Sequence, residues 1–498
     1  MERNERARVN DLDATDAALG SGLVRRLGLA TATALVVGEV IGVGIFLTPA
    51  GMAKTLGSPV WLLAVWLTMG VAAVGGALCY GALAARYPED GGSYIYLRKA
   101  YGPRTAFLYG WLSLLVTDPG LTAMLAVGLA RYTGHLAPLS AWGLKAVAVG
   151  AVAALAVVNM LGVSLGSRVL GALAALKLGL LSFLVVWGFS LGRGDWSNLT
   201  PFWSQRPGSE PLFQGLAAAL ILAFISFAGW WDVSKIAGEV RDPRRTLPRA
   251  LVLGVSIVAV VYIAVSAVFL YLVPPARIAS DDQAFAALAG YALFGRTGEV
   301  VFAAIVVISV AGSLAAVLMA SPRVYYAMAR DGLFFPSFAT VDPRRGTPAR
   351  AVAIQATLAA ALALSGTFSQ ILSYFMVPTM AFLALTVAAV FVLRHRSPDE
   401  HPLAIPGYPV SPLLFLVPIL VVIALRIVSD PLRASIGLLV VMLGVPVSGW
   451  VLSKSRSTRE TTAAQTSDET AVSPSTAVPS LPTGDRSSAP TICMKPWK

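Results

Sequence analysis

Long apolar runs separated by short polar segments follow one another along most of the chain. A helix needs about twenty apolar residues to cross the hydrocarbon of a bilayer, and runs of that length predict twelve spans. They fall at about 31–55, 59–85, 104–131, 140–162, 166–191, 213–239, 247–273, 298–326, 349–366, 370–393, 410–428 and 434–453. The pattern therefore predicts an all-α membrane protein with twelve transmembrane helices.

The first apolar run does not have the pattern of an unbroken helix. Gly42, Val43 and Gly44 lie near the middle of the stretch Thr31–Leu56, and Pro49 follows. Inside a bilayer every backbone N–H and C=O group needs a partner, so an interrupted helix is tolerated only where the freed groups face protein, water or a bound polar molecule. We interpret this break as part of a binding site.

The sixth span is interrupted in a similar way, from Ser226 to Gly229. Two broken helices five spans apart predict that spans 1–5 and 6–10 form a five-plus-five inverted repeat, followed by two C-terminal helices. In folds of this kind the discontinuous helices meet near the bilayer midplane and form the substrate site.

The chemistry of the two breaks predicts an amino acid as ligand. Amides freed at Val43 and Gly44 form the partly positive end of a helix, which suits a carboxylate. Carbonyls freed at Val40, Ile225 and Ala228 suit an ammonium group. The alternative is that the glycines only form a notch for helix packing. The candidate substrate-binding residues are Val40, Gly42, Val43, Gly44, Ile225, Phe227, Ala228, Gly229 and Trp231.

Two ionisable residues are expected at membrane depth. Lys177 lies in the middle of the fifth span, where a charge costs roughly 2.5–3.5 kcal/mol on insertion scales, so it should face a partner inside the bundle. Freed carbonyls of the first span are the natural acceptors, with Ser309 or Ser313 as weaker candidates. Its ammonium would either take the place of a sodium ion, or release a proton and couple transport to it, or serve only as a structural tether. Glu39 is the second such residue, and its orientation does not follow from the sequence.

Composition and charge agree with a membrane protein. The chain is 56% hydrophobic and 13% charged, which excludes an ordinary soluble protein, and its net charge of +12 follows from topology rather than nucleic-acid binding. With the N-terminus inside, 28 basic residues, Lys235 among them, fall on the cytoplasmic side and nine on the other. Both termini are therefore expected in the cytoplasm, with the chain in the plasma (inner) membrane. Two cysteines and three histidines predict neither a metal site, nor a cofactor, nor a histidine-based catalytic site.

The predicted domain organisation has three parts. Residues 1–24 form a polar cytoplasmic tail, and residues 25–453 form the transporter domain. Within that domain, repeat one covers about 31–191, repeat two about 212–394, and helices 11 and 12 about 409–453. Residues 454–498, rich in Ser, Thr, Pro and Ala, are expected to be a disordered cytoplasmic tail.

Several motifs in their order resemble the amino acid, polyamine and organocation (APC) transporter superfamily, and most closely bacterial relatives of the L-type amino acid transporters. They are VIGVGIFLTP at 40–49, YPEDGGSYIYLRKAYG at 87–102, Lys177, FAGWW at 227–231, EVRDPRR at 239–245 and AMARDG at 327–332. The resemblance implies the inverted-repeat fold, the same two poles of the substrate site, and sodium-independent transport because of the lysine at position 177. Val43, Ile225 and Trp231 depart from residues that are frequent in the family.

The sequence therefore predicts an alternating-access transporter and not an enzyme. Small or medium neutral amino acids are the expected substrates, since no acidic residue other than Glu39 is placed to bind a cationic side chain. Transport by exchange or with protons is left open, and no obligatory protein partner is expected. A polyamine or other organic-cation permease is the alternative if Glu39 faces the site. An intramembrane enzyme would need paired carboxylates or a histidine cluster in the spans.

Overall fold

The computed structural model describes residues 25–274, 285–342, 345–396 and 404–471, most of which lie in helices. No β-strand occurs in these segments, although an isolated parallel β-bridge joins Leu27 to Val240. The first of two compact units ends at Leu452. The predicted tail at 1–24 lies outside the described residues. Of the predicted tail at 454–498, the part up to Ala471 continues the last helix, and the remainder also lies outside the described residues.

The helices are numbered in chain order. They are α1 Leu29–Val40, α2 Gly44–Leu56, α3 Pro59–Arg86, α4 Ser93–Tyr101, α5 Pro103–Leu112, α6 Asp118–Leu136, α7 Ala141–Met160, α8 Val163–Ser190, α9 Leu212–Ser226, α10 Pro243–Leu272, α11 Phe285–Ala320, α12 Pro322–Arg330, α13 Ala349–Ser365, α14 Phe368–Arg396, α15 Val410–Ser429 and α16 Pro431–Ala471. A π-helical turn, Ser113–Thr117, joins α5 to α6. Short 3₁₀ helices cover Trp196–Leu199, Trp230–Glu239 and Pro336–Ala339.

The predicted multi-span, all-helical fold is confirmed. Ten helical segments of the described chain are long and apolar enough to cross a membrane, or eleven if the bent pair α1 and α2 is one span. A shorter apolar helix, α13, lies at the position of the predicted ninth span. The exact number of twelve spans and the inverted repeat stay predictions.

Both predicted breaks are present. In the first span α1 ends at Val40 and α2 begins at Gly44, with an angle of 44° between them. In the sixth span α9 ends at Ser226, and the chain resumes as the 3₁₀ helix Trp230–Glu239. Gly229 has φ 108° in this second break, a left-handed conformation that glycine adopts without a Cβ clash.

The helices around the breaks pack in two groups. In the first group α10 packs against α1 and α3, while α2 packs against α9. In the second group α6 packs against α7, α11 and α13. Helix α8 contacts α1 and α10 of the first group and α11 of the second. The breaks are thus enclosed between two helix layers, which positions them for a site in the interior.

One end of the bundle is closed by short helices and ion pairs. We call it the N-terminal face, and it holds the start of α1, α4, α12 and the end of the 3₁₀ helix Trp230–Glu239. The motif at 87–102 contains α4, whose Arg98 pairs with Asp331 just after α12. Arg323 of α12 donates to Glu239 Oε1 at 2.8 Å, and both side chains are buried.

Candidate functional site

The two broken spans touch each other at the breaks. A Cβ atom on Gly44 would lie 2.7 Å from Ser226 Cα and 2.8 Å from Ser226 Oγ, so only glycine allows this approach. One turn further along α2, the Thr48 hydroxyl lies 2.8 Å from the Ser226 hydroxyl. The first residue of α2 is thus packed directly against the last residue of α9.

The amides at the start of α2 are available to a ligand. Among hydrogen bonds between described residues, none is donated by the N–H of Val43 or Gly44. These groups lie at a helix N-terminus, where the backbone carries a partial positive charge. A helix N-terminus of this kind suits a carboxylate, and the assignment of these amides to the substrate carboxylate stays a prediction.

The carbonyls that were expected to bind the substrate ammonium differ from the sequence prediction. Val40 O accepts hydrogen bonds from Gly42 N–H and from the Tyr262 hydroxyl, both at 2.7 Å. Ile225 O accepts from Ala228 N–H at 3.2 Å. The expectation that the carbonyls of Val40 and Ile225 are free is therefore wrong for this conformation, because the chain turns tightly at each break and satisfies them locally.

Tyr262 is a further candidate site residue that the sequence pattern did not predict. Its hydroxyl lies 2.7 Å from Val40 O and 2.8 Å from Ser226 O, so it connects the two breaks. A hydroxyl has a single hydrogen to donate, and an arriving ammonium group would compete with it for these carbonyls. The available signal was one tyrosine in the middle of the apolar seventh span. Its ring packs against Trp66 and Phe227, at 5.2 Å between centroids in each case.

Val43 and Gly42 join the first break to the second helix group. The Val43 side chain is 1% exposed and packs against Gly128 of α6, where a Cβ would come within 2.7 Å of Val43 Cγ2. A Cβ on Gly42 would lie 3.1 Å from Leu125 of α6 and 3.4 Å from the hydroxyl of Ser313 in α11. The first break is therefore held by contacts on both sides.

Lys177 binds the carbonyls released by the first break. Its Nζ atom donates to Gly38 O and Ile41 O, each at 2.7 Å, and to Ser313 Oγ at 3.1 Å. The side chain is fully buried, so the ammonium has exchanged water for three protein oxygens. Ser309 also lies nearby and donates to Ile41 O at 3.2 Å. The ammonium thus ties α8 to the end of α1 and to α11.

Trp231 lies between the second break and the N-terminal face. Its ring is 6% exposed and packs edge-on against Trp230, with centroids 5.5 Å apart. It borders a cavity of about 10 Å³, which is about the space that one water molecule needs. The polar residues that line this cavity are Tyr80, Ser93, Tyr109, Thr117 and Thr379. Trp231 therefore contributes to a small polar space below the breaks.

The structure corrects the expected distribution of charge. Lys235, which was expected in a cytoplasmic segment, is 1% exposed and lies 2.8 Å from Asp118 Oδ1. It also lies 3.0 Å from Asp232 Oδ1. The expectation that Glu39 is the only acidic residue at depth is therefore wrong, since Asp118 and Asp232 are buried as well. The sequence already contained a signal for this cluster, because Asp118 falls inside the predicted span 104–131, and Asp232 and Lys235 fall inside the predicted span 213–239.

Comparison with known proteins agrees with this architecture. The family profile described as amino acid permease matches residues 27–448. The human cystine/glutamate transporter is 28% identical over 432 residues, 85% of this chain and 84% of the relative. The serine/threonine exchanger SteT of Bacillus subtilis is 29% identical, over 86% of this chain and 97% of the relative.

A third relative is the human large neutral amino acids transporter small subunit 2. It is 30% identical over 441 residues, which cover 86% of this chain and 80% of the relative. These relatives are transporters and not enzymes, and amino acid transport is common to them. With its family match, its apolar helices and its two broken spans, the chain belongs to the amino acid permease family of the APC superfamily and is a membrane transporter of amino acids.

Proposed function

We propose that this chain carries small or medium neutral amino acids across the plasma (inner) membrane by alternating access, without sodium. The observation that carries the proposal is the meeting of the two breaks at Gly44 and Ser226, beside amides that no described residue engages. The substrate carboxylate would bind the N–H groups of Val43 and Gly44. Its ammonium would bind the carbonyls of Val40, Ile225 and Ala228, after Tyr262 releases Val40 O.

The position of Lys177 supports the proposal of sodium independence. Its ammonium supplies a positive charge to Gly38 O, Ile41 O and Ser313 Oγ, a set of oxygens that a bound cation would otherwise hold. Because a cation already joins α1, α8 and α11, a sodium ion is not needed to connect them.

A neutral substrate fits the charges better than a cationic one. Glu39, which motivates the alternative of a polyamine or other organic cation, lies beside Gly229, where a Cβ would come 2.8 Å from Glu39 Cγ. Its carboxyl group interacts with Asp232 of the 3₁₀ helix, whose Oδ1 lies 3.0 Å from Lys235 Nζ. The carboxyl groups therefore belong to a buried cluster of protein charges, which leaves the aromatic cluster of Trp66, Phe227 and Tyr262 to surround the substrate.

Orientation and gating are part of the proposal. We place the N-terminal face in the cytoplasm, with both termini on that side, because 27 basic residues, with the buried Lys235 left out of the 28, against nine favour it. This face is closed by the Arg323–Glu239 pair and by the backbone bridge between Leu27 and Val240. Opening to the cytoplasm would separate these contacts while the opposite side closes.

The test uses the purified full chain in liposomes. Vesicles loaded with unlabelled alanine, serine and threonine should take up the same labelled amino acids in sodium-free buffer, at the rate found with sodium. Agmatine should not compete. Uptake that requires sodium would contradict the role given to Lys177, and competition by agmatine but not by alanine would favour the organic-cation alternative.

A further inference from the structure

Between the two breaks and the N-terminal face, four charged side chains are buried together. They come from elements that are far apart in the sequence: α1, α6 and the 3₁₀ helix Trp230–Glu239. Glu39 is 4% exposed, and the other three are 1% exposed or less. The members of this cluster are Glu39, Asp118, Asp232 and Lys235. Three carboxyl groups thus share one ammonium in a region without bulk water.

One of the carboxyl groups is fully satisfied. Asp118 Oδ1 accepts from Lys235 Nζ at 2.8 Å, and Asp118 Oδ2 accepts from the Tyr325 hydroxyl at 2.7 Å. Lys235 also donates to Ser321 Oγ at 3.3 Å. The ammonium of Lys235 and the carboxyl group of Asp118 therefore form a buried ion pair. The π-helical turn Ser113–Thr117 immediately precedes it, a feature that is frequent at functional sites.

The other two carboxyl groups face each other. Glu39 and Asp232 interact through their side chains, and both side chains are buried. Glu39 Oε1 is buried and has no hydrogen-bond partner among the described residues. Two buried carboxyl groups that share a site do not both ionise.

The ammonium of Lys235 decides which of the two holds the proton. Asp232 Oδ1 lies 3.0 Å from Lys235 Nζ, which stabilises a negative charge on Asp232. No ion pair between described residues includes Glu39, so we place the proton on Glu39. The described chain contains no group of three or more His, Cys, Asp or Glu side chains arranged for a metal ion. The other titratable groups that face the cluster are Tyr109, Lys177 and Tyr325.

We propose that Glu39, in contact with Asp232, is a proton-binding site, and that this proton is transported together with the amino acid. Glu39 directly precedes Val40 and touches Gly229, so both breaks adjoin it and it is reached from the substrate site. On the opposite side, the Lys235–Asp118 pair separates Glu39 from the N-terminal face. The proposal rests on the proposed function, since it adds a coupled ion to the same transport cycle.

The cycle follows from which contacts must separate. With the N-terminal face closed, the Glu39 carboxylate takes one proton from the substrate side and becomes a neutral carboxylic acid. When the 3₁₀ helix moves away from α6, Lys235 leaves Asp118 and water reaches the cluster. Glu39 then releases the proton to the cytoplasm and becomes a carboxylate again. One proton crosses for each amino acid.

The experiment measures proton movement and amino acid movement in the same liposomes. Vesicles with a pH-sensitive dye inside receive alanine, serine and threonine in sodium-free buffer without a pH gradient. We expect the wild-type interior to acidify, with about one proton for each labelled amino acid taken up. Glu39→Gln should lower the protons moved per amino acid at least tenfold, whereas Glu210→Gln, in an exposed loop, should leave the ratio unchanged. Exchange of labelled for unlabelled amino acid, which needs no net proton movement, is measured alongside.

Each outcome decides one question. Wild-type vesicles that exchange amino acids but move no protons overturn the proton site and leave the proposed function intact. Vesicles that exchange no amino acid at all overturn the proposed function. If Glu39→Gln fails to fold, Asp232→Asn replaces it. Because this substitution removes the negative charge beside Glu39, the pH optimum of uptake by Asp232→Asn should lie below that of the wild type. A uniform loss of rate at every pH would instead indicate a structural role and contradict the proposal.

Discussion

Gly44 and Ser226, 182 positions apart in the chain, meet so closely that a Cβ on Gly44 would lie 2.7 Å from the Ser226 backbone. This contact brings the start of α2 against the end of α9. The substrate site that we propose depends on it, since the amides come from one break and the carbonyls from both.

Replacing Gly44 with alanine should separate the two breaks. The added Cβ meets backbone and not the end of a flexible side chain, so α2 or α9 must shift. We expect uptake to fall at least tenfold and the melting temperature to decrease, because overpacking costs about 1–3 kcal/mol. Gly150→Ala in α7, where a Cβ meets no atom within 4 Å, is the matched control and should leave uptake unchanged. Normal uptake by Gly44→Ala would contradict the close contact.

Replacing Lys177 with alanine should create a requirement for a cation. The substitution removes the donor from the buried carbonyls of Gly38 and Ile41 and leaves a space beside Ser313. We expect a loss of about 1–3 kcal/mol in stability, partly restored by sodium chloride and not by choline chloride. Thermal unfolding in the two salts measures this difference, because a bound ion stabilises the folded state.

The control for this prediction is Lys145→Ala, which removes a half-buried lysine on α7 whose ammonium donates to Leu364 O at 2.7 Å. Surface substitutions change stability by about 0.5 kcal/mol or less, so its melting temperature should stay near that of the wild type in both salts. An equal response of the two variants to sodium would show that the oxygens around Lys177 are not a cation site.

Replacing Tyr262 with phenylalanine should remove the side-chain donor from the carbonyls of Val40 and Ser226, while Val40 O keeps its bond from Gly42 N–H. Removal of the hydroxyl leaves the ring and its contacts with Trp66 and Phe227 in place. We expect the unliganded protein to lose about 1–3 kcal/mol, the cost of a buried carbonyl that loses its donor. Added amino acid should then raise the melting temperature more than it does in the wild type, since its ammonium no longer competes with the hydroxyl. An unchanged ligand response would contradict the proposed ammonium position.

The N-terminal face should be less stable as the pH rises through neutrality. Burial, together with the nearby Glu239 carboxylate, raises the pKa of Asp90 to about 7 from its ordinary value of 3.8. Between these values the folded state holds a proton that the unfolded state has lost, so stability falls as pH increases from about 4 to about 7. Asp90 Oδ1 accepts from Gly238 N–H at 2.8 Å, so the titrating group lies beside Glu239 and the contacts that close the N-terminal face.

Asp90→Asn should therefore flatten the dependence of the melting temperature on pH over this interval. Asparagine keeps an acceptor for Gly238 N–H and cannot ionise. Glu210→Gln, which changes an exposed carboxylate, should keep the wild-type profile. If wild type and Asp90→Asn show the same slope from pH 5 to pH 7, Asp90 does not titrate in this range as its pKa near 7 requires.

The sequence by itself determined the positions of the helices, the two breaks and the buried lysine. These features have local causes. Hydropathy over about twenty residues decides whether a segment enters a membrane, and glycines at Gly42, Gly44 and Gly229 mark places where backbone hydrogen bonding is interrupted. The partners of Lys177 also followed, because freed carbonyls in the first break were the obvious acceptors for an ammonium at that depth.

Only the tertiary structure decided which distant side chains share the interior. Tyr262 reaches both breaks because α10 packs against α1 and α3, and no local pattern specifies that contact. The sequence assigns Lys235 to a cytoplasmic segment, whereas the 3₁₀ helix places it against Asp118 in the interior. The energy of a buried charge depends on the groups that surround it, and those groups come from helices far apart in the sequence. The sequence therefore supplies the charges, while packing decides which of them are compensated and which must hold a proton.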